Sequence, residues 1–272
     1  MFPGATADRD TASYVVVGAP LDVTTTFQPG TRFGPDRIRR FAESFDDYDH
    51  VTDLCFTECG VCDAGNIRAW DDVPEYIDYL GGQLRDVVWD DAVPLVLGGE
   101  HTVTVAGVEA VDPDVFVCLD AHLDLRSAYD GNEWSHACVT HRVLETADEA
   151  IILGARTGSK AEWDRAAESD VTVVDPDAVD DWLADPPSFA EQSVYLSVDI
   201  DAADPSVAPG TGTMEPFGLT ARQLRAVVRR VAPTCDGFDV VEVNDRDAGQ
   251  AAALGGKLLR EFVFAHAAKA DV

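Results

Sequence analysis

The run FVCLDAHLDLR, residues 116–126, opens as a buried strand and closes in groups that resist burial. Phe116 to Leu119 form a short continuous apolar run, the mark of a strand covered on both faces in a parallel sheet. Asp120, His122 and Asp124 then follow at a spacing of two, and such groups are costly to bury unless something binds them. If the segment stays extended, that spacing aims all three side chains to one side. The stretch therefore predicts a strand inside a sheet and a ligand site at its carboxyl end.

Outward from this stretch the same pattern repeats. Apolar runs begin near residues 14 (YVVVG), 59 (CGVCD), 93 (VPLVLG), 115 (VFVCLD), 150 (AIILGA), 171 (VTVVD), 194 (VYLSVDID) and 238 (FDVVEVN). Between them lie amphipathic helix candidates at 34–44, 74–90, 101–110, 136–147, 160–169, 220–231 and 248–268. Alternation of this kind implies an α/β fold of three layers, α/β/α, around a mostly parallel sheet of about eight strands. In such sheets ligands bind outside the carboxyl ends of the strands. The 272 residues are 46% hydrophobic and carry no repeat or low-complexity tract, so a single domain over 1–272 is expected.

Charge excludes several partner classes. Asp and Glu number 50 against 20 Lys and Arg, giving a net charge of -30, which argues against nucleic acid and against anionic membrane surfaces. Only Lys160, Lys257 and Lys269 are lysines, and an Asp-rich, Lys-poor chain of ordinary apolar content suggests a halophilic protein whose self-repulsion is screened by molar salt. No apolar run is long enough to span a bilayer, and the start MFPGATADRD lacks a signal-peptide pattern, so a cytoplasmic location is expected.

Cysteine usage offers a competing function. Cys55, Cys59 and Cys62 in CFTECGVC have a C-x3-C-x2-C spacing that could hold three irons of an iron–sulfur cluster. The same residues also read as small buried hydrophobes on a strand running into a turn, and the other three cysteines, at 118, 138 and 235, are scattered.

Polar residues gather where the fold requires a site. His101 follows LGGE after the run at 93–97, Asp199 and Asp201 close VYLSV, and Glu242 closes FDVV. Singly, each is explained by a capped histidine or a solvated turn. Four aspartates and two histidines at strand ends are hard to explain together without metal. Four carboxylates in a poorly solvated crevice call for two divalent ions rather than one, and carboxylate with imidazole but no thiolate favours an ion such as Mn²⁺. Two such ions can hold a water between them and lower its pKa. With Glu242 and the resulting hydroxide the pocket remains about two charges negative, which selects a cation, and a guanidinium matches a carboxylate bidentately.

At this point GGEHT (98–102), DAHLDLR (120–126), SVDIDAADPSVAPGTGTMEP (197–216) and VVEVN (240–244) resemble the ureohydrolases, the arginase and agmatinase family of binuclear manganese enzymes. GAPLDVTTTFQPGTRFGPDRIR (18–39) and VCDAGNI (61–67) extend the resemblance over nearly the whole chain, about 14–265. By position, the resemblance implies one metal on His101, Asp120, Asp124 and Asp199 and a second on His122, Asp120, Asp199 and Asp201. It further implies His136 as proton relay, Glu242 as the acid that grips the guanidinium, and a proton path to the leaving amine through Asp201 or His136. The segment DLRSAYDGNEWSHACV (124–139) is similar to short archaeal and bacterial agmatinases and lacks the Asn-x-His-Gly pattern of arginases, which implies hydrolysis of agmatine to putrescine and urea, a step of polyamine biosynthesis. Arginase, guanidinobutyrase and aminopropylagmatine ureohydrolase activities remain alternatives. Glu100, Ala137, Met214, Phe217 and Asp245 depart from common family residues, the last three in loops expected at the pocket mouth. A single-zinc deacetylase relative would not need His101 together with all four aspartates. The resemblance also implies a homo-oligomer, a trimer or hexamer.

Overall fold

A computed structural model describes residues 1–268. Its ten strands are β1 (Tyr14–Ala19), β2 (Tyr48–Asp49), β3 (Leu54–Cys55), β4 (Val61–Asn66), β5 (Val93–Gly98), β6 (Val115–Leu119), β7 (Glu149–Leu153), β8 (Val171–Val174), β9 (Val194–Asp199) and β10 (Cys235–Val241). The helices are α1 (Gly34–Ala42), α2 (Val73–Trp89), α3 (Val103–Val111), α4 (Val139–Val143), α5 (Lys160–Arg165), α6 (Val179–Ala184), α7 (Ala221–Val231) and α8 (Gln250–Ala267).

Eight strands form one parallel sheet in the order β4-β1-β5-β10-β9-β6-β7-β8, and each corresponds to one of the apolar runs. Alternate residues feed two cores. Val16, Leu97, Val117, Leu196 and Val240 face α1, α7 and α8, while Val17, Val96, Phe116, Tyr195 and Val241 face α2, α3 and α4. Because both faces are covered, the strand interiors are continuously apolar rather than alternating. Local chemistry sets the helix starts: Ser159 with Glu162 and Thr220 with Gln223 form reciprocal capping boxes at α5 and α7.

Register brings four strand ends level. Val240 pairs with Leu97, Val241 with Asp199, and Val198 with Leu119, so β5, β10, β9 and β6 finish side by side in the middle of the sheet. Their following loops carry His101, Glu242, Asp199 and Asp120.

Two expectations change. The helix expected over 136–147 is a single turn at His136–Cys138 followed by the short α4, because Cys138 leaves helical geometry at φ -121° and the His141 N–H donates to Asp124 O at 3.1 Å. A small β2–β3 hairpin and α6 also form, which the pattern of apolar runs did not reveal. Among the described residues no helix is long and apolar enough to cross a membrane.

Candidate metal centre

Glycine at 99 makes the turn after β5. It sits at φ +27°, and a Cβ there would come within 2.4 Å of Ala19 O, so only glycine lets the chain fold tightly enough to bring His101 back over the strand ends. His101 is fully buried, and its Nδ1 lies 3.0 Å from Asp124 Oδ2, 3.2 Å from Asp120 Oδ2 and 3.6 Å from Asp199 Oδ2. His122 Nδ1 lies 3.1 Å from Asp201 Oδ2 and 3.5 Å from Asp120 Oδ1. The two oxygens of Asp120 thus face two different imidazoles.

The spacing of two works differently from the extended alternation expected. Asp120 Oδ1 accepts from the His122 N–H at 2.7 Å, and Asp199 Oδ1 accepts from the Asp201 N–H at 2.8 Å. Each pair is an Asx turn, in which the first carboxylate closes on the backbone two residues later and holds the second side chain beside it. Asp124 is not extended either. It sits at φ +50°, and the left-handed turn swings its carboxylate toward His101. Glu242 shares this conformation at φ +59°, with its N–H donating to Gly99 O at 2.9 Å. Left-handed backbone at two non-glycine residues of one site is strain that the surrounding fold holds in place.

Charge in the cluster lacks any basic partner. Among the described residues, no lysine or arginine side chain pairs with Asp120, Asp124, Asp199 or Asp201; their partners are the two histidines. Burial, reinforced by Asp201 and Asp120, pushes the Asp199 carboxyl well above the usual range, and burial beside Asp120 raises Asp124 to about 6. His122 moves the other way. Burial opposes its charge, but Asp201 and Asp120 outweigh that and raise it to about 12. Protons are thereby drawn to positions that divalent ions fill in a carboxylate–imidazole site. Oxygen and imidazole donors without a cationic neighbour fit hard or borderline divalent ions. Cys118 stands behind His101, 3.8 Å from Nε2, and burial lifts its thiol to about 12.

Glu242 lies buried beside this cluster. Its Oε1 accepts from the His101 N–H at 2.8 Å and lies 2.9 Å from His136 Nδ1, whereas Oε2 is buried without a hydrogen-bond partner among the described residues. An orphaned buried carboxylate oxygen is expensive, and a donor-rich cation would satisfy it. His136 opens the turn capped by Ser135 and also lines the cavity; its Nε2 lies 2.9 Å from Thr26 Oγ1. Burial opposes its charge, but Glu242 raises its pKa to about 9.

A cavity of about 340 Å³ opens over these groups, lined by His122, Asp124, His136 and Asp199 together with Arg126, Tyr129, Ser159 and Glu162. Ala137 and Thr213 also line it, while Met214, Phe217 and Asp245 do not. Of the loops expected at the pocket mouth, the one carrying Met214 reaches the cavity through Thr213, whereas Phe217 stands 87% exposed and lines a separate depression with Arg156 and Asp175.

Several residues escaped the sequence reading. Glu100, fully buried, accepts from Thr24 N–H at 2.9 Å and from the hydroxyls of Thr24 and Thr25 at 2.8 and 3.2 Å. Thr24 Oγ1 in turn accepts from the His136 N–H at 3.1 Å. Behind His101, Ser197 Oγ lies 3.3 Å from Nε2 and donates to Asp239 Oδ1 at 2.6 Å. Asp239 within an otherwise apolar strand was the available signal, since a buried acid needs donors.

The cysteines do not converge. Among the described residues, the groups of three or more donors close enough for one ion are His101 with Cys118 and Asp120, and Asp120 with His122 and Asp201. Cys55, Cys59 and Cys62 belong to neither, and all three are free thiols whose pKa burial raises.

Comparison with known proteins agrees with this geometry. Residues 12–265 match the Arginase family. The chain is 36% identical over 259 residues to the N(1)-aminopropylagmatine ureohydrolase of Thermococcus kodakarensis, covering 93% of this chain and 90% of that one. It is 34% identical over 262 residues to the agmatinase of Pyrococcus horikoshii, covering 93% and 92%. The crystal structure of the agmatine ureohydrolase of Thermoplasma volcanium superposes with a TM-score of 0.93 at 33% identity over 99% of this chain and 95% of that one. On the matched span, the shared fold and these relatives together, this chain belongs to the Arginase family.

Proposed function

We propose that the chain hydrolyses a guanidino compound, with agmatine as substrate and putrescine and urea as products, using two Mn²⁺ ions per subunit. The observation that carries this reading is Asp120, whose two oxygens face different imidazoles within a nest of four aspartates that no lysine or arginine neutralises. His101, Asp120, Asp124 and Asp199 would hold one ion, and His122, Asp120, Asp199 and Asp201 the other. When bound, the metal pair would supply an activated water and positive charge that stabilises the negative charge developing in the transition state.

The chain's own residues then bind and orient. Glu242 Oε2 accepts from the guanidinium, while Oε1 is pinned by the His101 N–H and His136. Fixing the guanidinium in this way makes the encounter effectively intramolecular. His136 accepts the Thr26 N–H at Nε2, at 3.1 Å, and holds its proton at Nδ1 against Glu242 Oε1, from which it can pass to the leaving amine, with Asp201 as the other route. The name of the Thermococcus relative supports N1-aminopropylagmatine as a second substrate. The large excess of acids supports work at molar salt in the cytoplasm, and the family resemblance supports a trimer or hexamer.

The test is a urea assay in molar salt with Mn²⁺ on agmatine, N1-aminopropylagmatine, arginine and guanidinobutyrate, alongside elemental analysis of bound metal. Urea from agmatine with two Mn²⁺ per chain is the expected result. Absence of urea from all four rejects the reading.

A further inference from the structure

Arg156 lies where the loops of the site meet, yet it takes no part in the chemistry above. Its backbone N–H donates to Ala121 O at 2.9 Å, and the N–H of Thr157 donates to the same oxygen at 3.2 Å. Ala121 stands between Asp120 and His122, and its own N–H donates to Asp201 Oδ1 at 3.1 Å. The side chain reaches the other way. Nη1 donates to Gly154 O at 2.9 Å and Ala202 O at 3.3 Å, and Nη2 donates to Asp201 O at 2.9 Å and Glu215 O at 2.6 Å. Nε donates to Pro216 O at 3.0 Å.

One residue thus touches three segments: the loop after β6, the turn after β9, and the chain around 215–216. The last begins at Thr213, which lines the cavity and donates from Oγ1 to Asp201 Oδ2 at 3.0 Å. Carbonyl oxygens from two separated segments converge on one point here, and their partial negative charges repel unless donors separate them. A planar guanidinium offers five N–H groups in a fixed fork, whereas a lysine ammonium offers three on a flexible stem. Room for the fork is built in, since a Cβ at Gly218 would come within 2.6 Å of Arg156 Nη2.

We propose that Arg156 is a positioning residue that fixes the Asp199–Asp201 turn against the Asp120–His122 loop and locks residues 213–217 onto that turn, so that ion binding and order at the cavity mouth are linked. The proposal rests on the metal reading above, and its test separates the two. Calorimetric titration of Mn²⁺ into metal-free wild type and Arg156→Lys should give two equivalents in wild type and at least one equivalent weakened about tenfold or more in the variant, as for other residues that orient ligands. A merely structural role would lower the melting temperature and leave those affinities alone.

Two wild-type equivalents with unchanged affinity in Arg156→Lys overturn the role of Arg156 only. A wild type that takes up no Mn²⁺ overturns the metal reading and this proposal with it. Should the lysine variant fail to fold, hydrogen exchange in the wild type decides: Mn²⁺ should slow exchange in 199–203 and in 213–218 together. Slowing confined to 199–203 overturns the link.

Discussion

Asp63 and Asp199 are both buried carboxylates on strands of one sheet, and the fold treats them in opposite ways. Asp63, on β4 at one edge, receives the Arg39 guanidinium in a two-pronged contact, Nε to Oδ2 and Nη2 to Oδ1, each at 2.8 Å, and a further N–H from Gly65. Burial alone would raise its pKa, but Arg39 outweighs burial and holds it below the usual carboxylate range. Asp199 ends β9 with no lysine or arginine partner, only the His101 imidazole at 3.6 Å, and burial beside Asp201 and Asp120 drives its pKa far upward. A chain able to match a buried acid with an arginine has left four unmatched around His101 and His122. In this structure only the two histidines offset the second group, and the difference supports a further balancing charge from outside the polypeptide.

The sharpest way to break this comparison is to neutralise one acid of each kind. Asp120→Asn should lower urea release by more than about a thousandfold and abolish tight Mn²⁺ binding, because it removes the group both imidazoles face. Retention of two metals and the full rate would refute Asp120 as the shared ligand. Asp63→Asn should do the reverse: Arg39 loses its buried partner, stability falls by about 3 kcal/mol in denaturant unfolding, and urea release per folded molecule stays unchanged.

Within the unmatched region, Glu242→Gln should lower kcat/KM by about a hundredfold or more while Mn²⁺ stoichiometry persists, since it weakens a charge-assisted contact to substrate rather than a metal ligand. His136→Asn should lower kcat by about a hundredfold with KM little changed, as expected for loss of a positioned proton donor. Equal loss of metal in either variant would move that residue from substrate handling to metal binding.

The smallest effect sharpens the comparison through pH. In the metal-free chain His122, with its pKa near 12, is protonated at pH 7, and Asp199, raised well above its ordinary value, tends to keep a proton. Metal binding requires neutral imidazole and ionised carboxylate, so these protons must leave when Mn²⁺ enters. Apparent Mn²⁺ affinity should therefore rise with pH, by more than about tenfold per unit around neutrality, with proton release visible by calorimetry in buffers of different ionisation enthalpy. Affinity independent of pH between 6 and 8 would mean the ligands are already deprotonated in the metal-free state.

Much of this site was legible because strand ends leave a plain mark. The runs at 115, 194 and 238 each stop at an acidic residue and the run at 93 at a glycine turn before Glu100 and His101, and parallel register makes those stops coincide in space. The cysteine trio shows why spacing by itself misleads. Cys62 lies on β4, while Cys55 and Cys59 flank a separate turn, with Cys59 Sγ donating to Cys55 O at 3.4 Å, so a motif-like interval gives no common centre. The helix over 136–147 was overestimated for a related reason, since apolar periodicity says nothing about a backbone contact such as His141 to Asp124.

By itself the sequence determined the layered architecture, the eight strands and the identities of the six candidate ligands and Glu242, because apolar periodicity and the cost of burying charge act locally and can be read in order. Only the tertiary structure decided how those ligands are aimed. The Asx turns at Asp120 and Asp199 close locally, two residues apart, but the left-handed backbone at Asp124 and Glu242 and the support of Glu100, Ser197, Asp239 and Arg156 are held by contacts between distant segments. Hydrogen bonds of that kind depend on three-dimensional proximity, which no spacing along the chain encodes.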